Sequence, residues 1–143
     1  MIGGFRRKRS NTKILIVDDS ATWAFLVQEM LEAGGHEVMR AGDGAAGYGT
    51  YLLFRPDLVI SDIEMPEKSG LEMTAHLRAY NPGIEVIYMS ADLERYRSQL
   101  EEEKRKYGVG LLQKPFSRME LMKLIAAKRK GGERKMGPRN ALR

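Results

Sequence analysis

Cysteine is absent from the 143-residue chain, and histidine occurs only as His36 and His76. Disulfide scaffolds, thiolate metal sites and cysteine nucleophiles are thereby excluded, and zinc catalysis has too few ligands. Long apolar runs are missing too. The longest are ILIV at 14–17 and WAFLV at 23–27, far short of the roughly 20 residues that cross a bilayer. The basic start MIGGFRRKRS is followed by no apolar segment of leader length, so a cytoplasmic location is expected. What is present is the balance of a folded protein: 43% apolar, 30% charged and 8% aromatic residues, at a length suited to one domain around a single core.

The net charge of +5 is unevenly spread. Arg6, Arg7, Lys8, Arg9 and Lys13 stand without an acid in residues 1–13, and residues 128–143 hold seven bases against the single acid Glu133. The stretch between, 14–127, is left with −6. The chain thus divides into a basic flexible arm at 1–12, a domain at 13–128 and a basic flexible tail at 129–143, both arms marked by turn-forming residues. Such runs are most often solvated tails. Nucleic-acid binding through them is expected to be weak, sequence-tolerant and steeply salt-dependent, since no helix-turn-helix or zinc motif accompanies them.

Within the body, short apolar runs alternate with segments of helical period, the pattern of βα units wound on a parallel sheet. Strands are read at KILIV (13–17), HEVMRA (36–41), DLVIS (57–61), EVIYMS (85–90) and VGLLQ (109–113). The first helix places Trp23, Leu26, Val27, Met30 and Leu31 on one face and stops at Gly34 and Gly35; the second ends at Arg55 and Pro56; the third runs from Leu71 to Tyr80. The fourth, about 92–107, carries only a narrow stripe of Leu93, Tyr96, Leu100 and Tyr107 and is expected to be largely exposed. The last begins at Ser117 and aligns Leu121, Leu124, Ile125 and Lys128. The fold class is α/β, a doubly wound (βα)5 parallel five-stranded sheet with leading strand order 2-1-3-4-5, although spacing alone does not determine that order.

Polar residues stand where these strands end. ILIV runs into Asp18 and Asp19, LVIS into Asp62, VIYM into Ser90, and LLQ into Lys114 and Pro115. Ligands of open α/β sheets bind just outside the carboxyl ends of the strands. Singly, each residue has an ordinary use: Asp19 or Ser20 as a helix cap, Asp62 as a turn opener, Ser90 as a cap of the fourth helix, Lys114 as a surface lysine. Together, three crowded carboxylates repel one another unless a cation is shared among them. Oxygen ligands without histidine or cysteine favour Mg2+, and the lysine and hydroxyl beside it suit a phosphoryl group.

The motifs DDS (18–20), DIEMPEKSG (62–70), SA (90–91) and KPF (114–116), in this order and spacing, resemble the receiver domain of bacterial two-component response regulators over about residues 13–128. The resemblance implies a flavodoxin-like fold with Asp62 as phosphoacceptor from a phosphohistidine on a sensor histidine kinase or phosphotransfer protein. It implies Mg2+ held by Asp18, Asp19, Asp62 and the backbone carbonyl of Glu64. Ser90 would swing toward the phosphoryl group, Lys114 would bond one of its oxygens, and the Lys114 to Pro115 bond would be cis. Such a protein is no enzyme on external substrates. It would act as a stand-alone, chemotaxis-regulator-like receiver that presents its fourth helix, fifth strand and fifth helix to a downstream protein, with homodimerisation through that face an open alternative. One departure stands out: the aromatic residue usual three positions before the lysine is Leu111 here. Glu64 and Asp92 are expected to flank the phosphoryl site and tune the access of water.

Other readings compete. GDGAAG (42–47) spells the Gly-x-Gly-x-x-Gly of a dinucleotide site, but the strand before it is short and polar and the chain leaves no room for a substrate domain; a tight turn with close helix packing suits these glycines better. A phosphatase of the haloacid dehalogenase type requires an aspartate where Glu64 stands. A phosphorylation-independent binding module, contacting nucleic acid through the basic termini, is the alternative function. His36 is read as a strand-entry residue and His76 as a helix-surface residue, while Met119 and Met122 are candidates for a partner surface.

Overall fold

A computed structural model describes residues 12–128; the predicted arms lie outside these residues apart from Thr12, which is buried. The Thr12 carbonyl accepts the Glu37 N–H at 3.0 Å, which ties the residue before the first strand to the second. The strands are β1 (Lys13–Val17), β2 (Glu37–Ala41), β3 (Leu58–Asp62), β4 (Val86–Ser90) and β5 (Gly110–Gln113), all parallel in the order β2-β1-β3-β4-β5. This is the expected order. Between them lie α1 (Ala21–Ala33), α2 (Gly44–Phe54), α3 (Gly70–Tyr80) and α4 (Arg97–Tyr107), with α5 helical from 118 to 128.

The three central strands read as apolar runs because both of their faces are covered. Side chains alternate: Leu15 and Val17 face a core shared with Tyr51 and Phe54 of α2, Met73 and Leu77 of α3 and Leu100 of α4. Ile14 and Ile16 face the opposite core, with Ala24, Val27 and Leu31 of α1 and Leu121 and Ile125 of α5. The β2 strand is polar because it is an edge, with Met39 and Arg40 exposed.

Capping accounts for the helix starts. Ser20 accepts the Trp23 N–H for α1, Asp43 accepts the Ala46 N–H for α2, and Ser69 with Glu72 forms a reciprocal capping box for α3, as Ser117 with Glu120 does for α5. Arg55, in the left-handed region at φ 51°, ends α2 directly before Pro56.

Two expectations need correction. Leu26 does not join the buried face of α1 but is 44% exposed, because the stripe is centred on Ala24, Val27 and Leu31, and Leu26 lies roughly 100° around the helix from Val27. The fourth helix is not continuous from 92. A 3-10 turn at Leu93–Tyr96, capped by Asp92, precedes α4, and Leu100 is the one α4 residue that is fully buried. Gly47 meets its expectation, since a Cβ there would lie 2.7 Å from Met73 Sδ: the glycine lets α2 close onto β1 and α3.

Candidate functional site

Register builds the site. Val17 pairs with Ser61, Asp62 with Met89, and Ser90 with Gln113. The next residue on β1 is Asp18 and the next on β5 is Lys114, so Asp18, Asp62, Ser90 and Lys114 reach one edge at nearly one level. Asp19 follows Asp18 on the same loop, and one carboxylate oxygen from each of Asp18, Asp19 and Asp62 lies within 4.8 Å of the others.

The three carboxylates differ in surroundings. Asp18 is buried; its Oδ1 accepts the Ser20 N–H at 2.9 Å and its Oδ2 accepts from Lys114 Nζ at 2.8 Å. Asp19 is exposed at the rim, and Asp62 is 7% exposed with Oδ1 3.5 Å from the same ammonium. Burial and the neighbouring Asp18 charge push the Asp62 carboxyl from 3.8 up to about 6, against the opposing pull of Lys114. One ammonium therefore serves two buried acids and leaves the cluster with excess negative charge. An oxygen-only, electron-rich pocket of this kind fits a hard divalent cation such as Mg2+.

The remaining predicted residues fall around this cluster. Ser90 is fully buried, and its Oγ accepts the Asp92 N–H at 2.9 Å, so the hydroxyl proton is free to donate elsewhere; it does not cap the fourth helix, whose preceding 3-10 turn is capped by Asp92. The Lys114 to Pro115 bond is cis. The Glu64 carboxylate accepts from Arg95 Nη1 and Tyr96 Oη, each at 2.7 Å. Leu111 is half-buried and pairs across the sheet with Tyr88.

Several contacts had no signal in local sequence pattern. Arg40 lines a cleft of about 400 Å³ together with Asp18 and Asp19. Tyr88, buried on β4, donates to Glu103 Oε1 at 2.9 Å, and Glu103 also pairs with Arg78 of α3 at 2.9 Å, whose guanidinium stacks on Tyr107. Tyr88, the neighbour of Leu111 across the sheet, is thus held by its hydroxyl to α4. Gly70 is required by the site itself: a Cβ there would collide with the Asp62 carbonyl oxygen.

A parallel sheet of this order, with clustered aspartates and a lysine at its carboxyl edge, defines a flavodoxin-like doubly wound fold with an acidic site at the strand ends. Residues 14–126 match the family profile of the response regulator receiver domain, and the chain belongs to that family. It is 31% identical over 119 residues to the chemotaxis protein CheY of Halobacterium salinarum, covering 80% of this chain and 93% of CheY. It is 36% identical over 78 residues to the probable transcriptional regulatory protein TcrX of Mycobacterium tuberculosis, covering 54% of this chain but 33% of TcrX; of RprY of Bacteroides fragilis it spans 48%. Among solved structures, the response regulator TrrA of Thermotoga maritima in complex with Mg2+ and BeF superposes with TM-score 0.73 at 31% identity, covering 82% of this chain and 98% of TrrA. The chain is therefore a receiver domain of two-component signalling. Receiver domains bind Mg2+ at an acidic pocket and work with histidine kinases or phosphotransfer proteins and with downstream targets, generally as signalling elements rather than enzymes. Among the described residues no helix is long and apolar enough to cross a membrane.

Proposed function

We propose that Asp62 accepts a phosphoryl group from a phosphohistidine of a sensor histidine kinase or phosphotransfer protein, and that the change controls a partner protein. The observation that carries this reading is the Asp18, Asp19 and Asp62 cluster with the Lys114 ammonium 2.8 Å from Asp18 and 3.5 Å from Asp62. Asp18, Asp19, Asp62 and the Glu64 carbonyl would hold Mg2+, which when bound supplies neutralising charge for the phosphoryl oxygens. A carboxylate oxygen of Asp62 attacks phosphorus as the donor's P–N bond breaks, and the electron pair leaves with the imidazole. Phosphoryl transfer asks for positioning and charge neutralisation more than covalent help. Lys114 follows the charge from Asp62 to the transferred group, and Ser90 turns its hydroxyl proton to a phosphoryl oxygen.

The product biases a pre-existing equilibrium of α4, β5 and α5, the face offered to the target or to a second copy. The Tyr88 to Glu103 bond fastens α4 to β4 there, in place of an aromatic residue at 111. The cytoplasm is the usual location of receivers and the one proposed here. The test is intact mass after incubation with Mg2+ and acetyl phosphate, beside Asp62→Asn. Gain of one phosphoryl group by the wild type alone is expected. No gain by folded, Mg2+-binding protein would overturn the acceptor role and leave a phosphorylation-independent binding module.

A further inference from the structure

Trp23, the only tryptophan, stands on the first turn of α1, five residues after Asp18. Its ring is held on several sides. The backbone N–H is capped by Ser20 at 3.2 Å, and the indole Nε1–H donates to Met89 Sδ at 3.4 Å. Phe116 meets the ring edge to face, with centroids 5.2 Å apart and planes at 89°. Phe116 lies two residues beyond Lys114, and Met89 is the β4 residue paired with Asp62, so the indole bridges α1, β4 and the loop carrying the lysine. On its open side it faces the Lys114 ammonium, 5.4 Å from the ring centre.

This placement matters because of a conflict within the cluster. Lys114 donates its short bond to Asp18 Oδ2, and Asp18 is also one of the three carboxylates available to a cation. A divalent ion shared by these carboxylates weakens Asp18 as the lysine's anchor. Another carboxylate could not replace that anchor, since it would join the same competition and add charge to a crowded site. An aromatic face attracts an ammonium through its quadrupole and offers a hard cation no oxygen. We infer that Trp23 is a positioning residue for Lys114, its indole face keeping the ammonium over the aspartate cluster when a cation draws on Asp18. The kinetic part of this inference rests on the acceptor role of Asp62; the spectroscopic part does not.

Two readouts separate positioning from simple packing. In the NMR spectrum, ring current from Trp23 shifts the Lys114 ε-methylene protons upfield, and the shift persists at saturating Mg2+. It disappears in Trp23→Leu and shrinks in Trp23→Phe. A return to the ordinary lysine position in Mg2+-saturated wild type would overturn the inference. In the second readout, phosphoryl uptake from acetyl phosphate at saturating Mg2+ slows by roughly two- to fivefold in Trp23→Leu, with Trp23→Phe between, the range of a cation and aromatic contact. Made in a Lys114→Met background, Trp23→Leu slows uptake no further. Equal slowing in that background, or a loss of Mg2+ affinity by the same factor measured calorimetrically, assigns the effect to packing and overturns the inference. Should Trp23→Leu fail to fold, Trp23→Phe and the wild-type spectra decide. A wild type that takes up no phosphoryl group defeats the acceptor role, and the spectra alone then judge Trp23.

Discussion

Replacing Asp62 by asparagine removes one buried negative charge from a pocket holding two others, and should make the protein more stable in the absence of Mg2+. The Asp62 carboxyl is raised from 3.8 to about 6, first by burial and then by Asp18. Two units correspond to about 3 kcal/mol between protonation states. Relaxation of the site and partial penetration of water around a buried charge reduce the expected gain to about 1–2 kcal/mol, or roughly 4–10 °C in melting temperature. The sign follows from linkage. With its folded pKa above its unfolded value, the carboxyl costs the fold nothing below pH 3.8; the cost grows as pH rises toward 6 and is fully present above. Urea unfolding of wild type and Asp62→Asn should therefore coincide near about pH 4 and separate by neutral pH, with the variant more stable. Saturating Mg2+ should close the gap, because an ion bound only by the native state stabilises the intact cluster more than the depleted one. A variant that is less stable than wild type at neutral pH without Mg2+, or a gap independent of pH, would refute the electrostatic account of this site.

Lys114→Met leaves the buried Asp18 carboxylate without its ammonium and should lower Mg2+-free stability by about 1–3 kcal/mol in urea melts, with part regained on adding Mg2+; unchanged stability would contradict the ion pair. Gly70→Ala drives a Cβ into the Asp62 carbonyl and should cost about 2–4 kcal/mol and weaken Mg2+ binding by calorimetry, whereas Gly49→Ala in the same assay, with no atom within 4 Å of the new methyl, should be neutral or stabilise α2 by roughly 0.5–1 kcal/mol. Tyr88→Phe removes the hydroxyl that holds Glu103 and should cost about 1–2 kcal/mol by thermal melting, with amide exchange faster in α4 than in α1. Glu64→Asn, two residues beyond Asp62, breaks the contacts to Arg95 and Tyr96 and should change the decay rate of the Asp62 acyl phosphate; an identical lifetime would deny Glu64 that role.

Much of the site could be read from strand endings. Asp18 and Ser90 directly follow apolar runs, and Asp62 and Lys114 follow theirs after one polar residue each; in a parallel sheet every such ending lies on the same edge. Asp19 required only its neighbour. Close helix packing at the glycine run 42–47 was also legible, since Gly47 lies where α2 closes on β1 and α3. Glu64 was legible only as a position. Its carboxylate is taken by Arg95 and Tyr96, some thirty residues away on a 3-10 turn that helical spacing had merged into α4. Leu26 was misplaced because an apolar residue on a helix rim looks the same in sequence as one on its buried face.

By itself the sequence determined the alternation of strands and helices, the caps and breakers that bound them, and the set of acids, hydroxyl and lysine offered at the strand ends. Those depend on local periodicity and on short-range hydrogen bonding. Only the tertiary structure decided which of them meet. The order and register of five strands bring one lysine to two aspartates that lie 96 and 52 residues away from it in sequence. The same packing turns Trp23 toward that lysine and joins Tyr88, Glu103 and Arg78 beneath α4. Contacts of this kind are set by the geometry of elements already packed, and no window of neighbouring residues contains it.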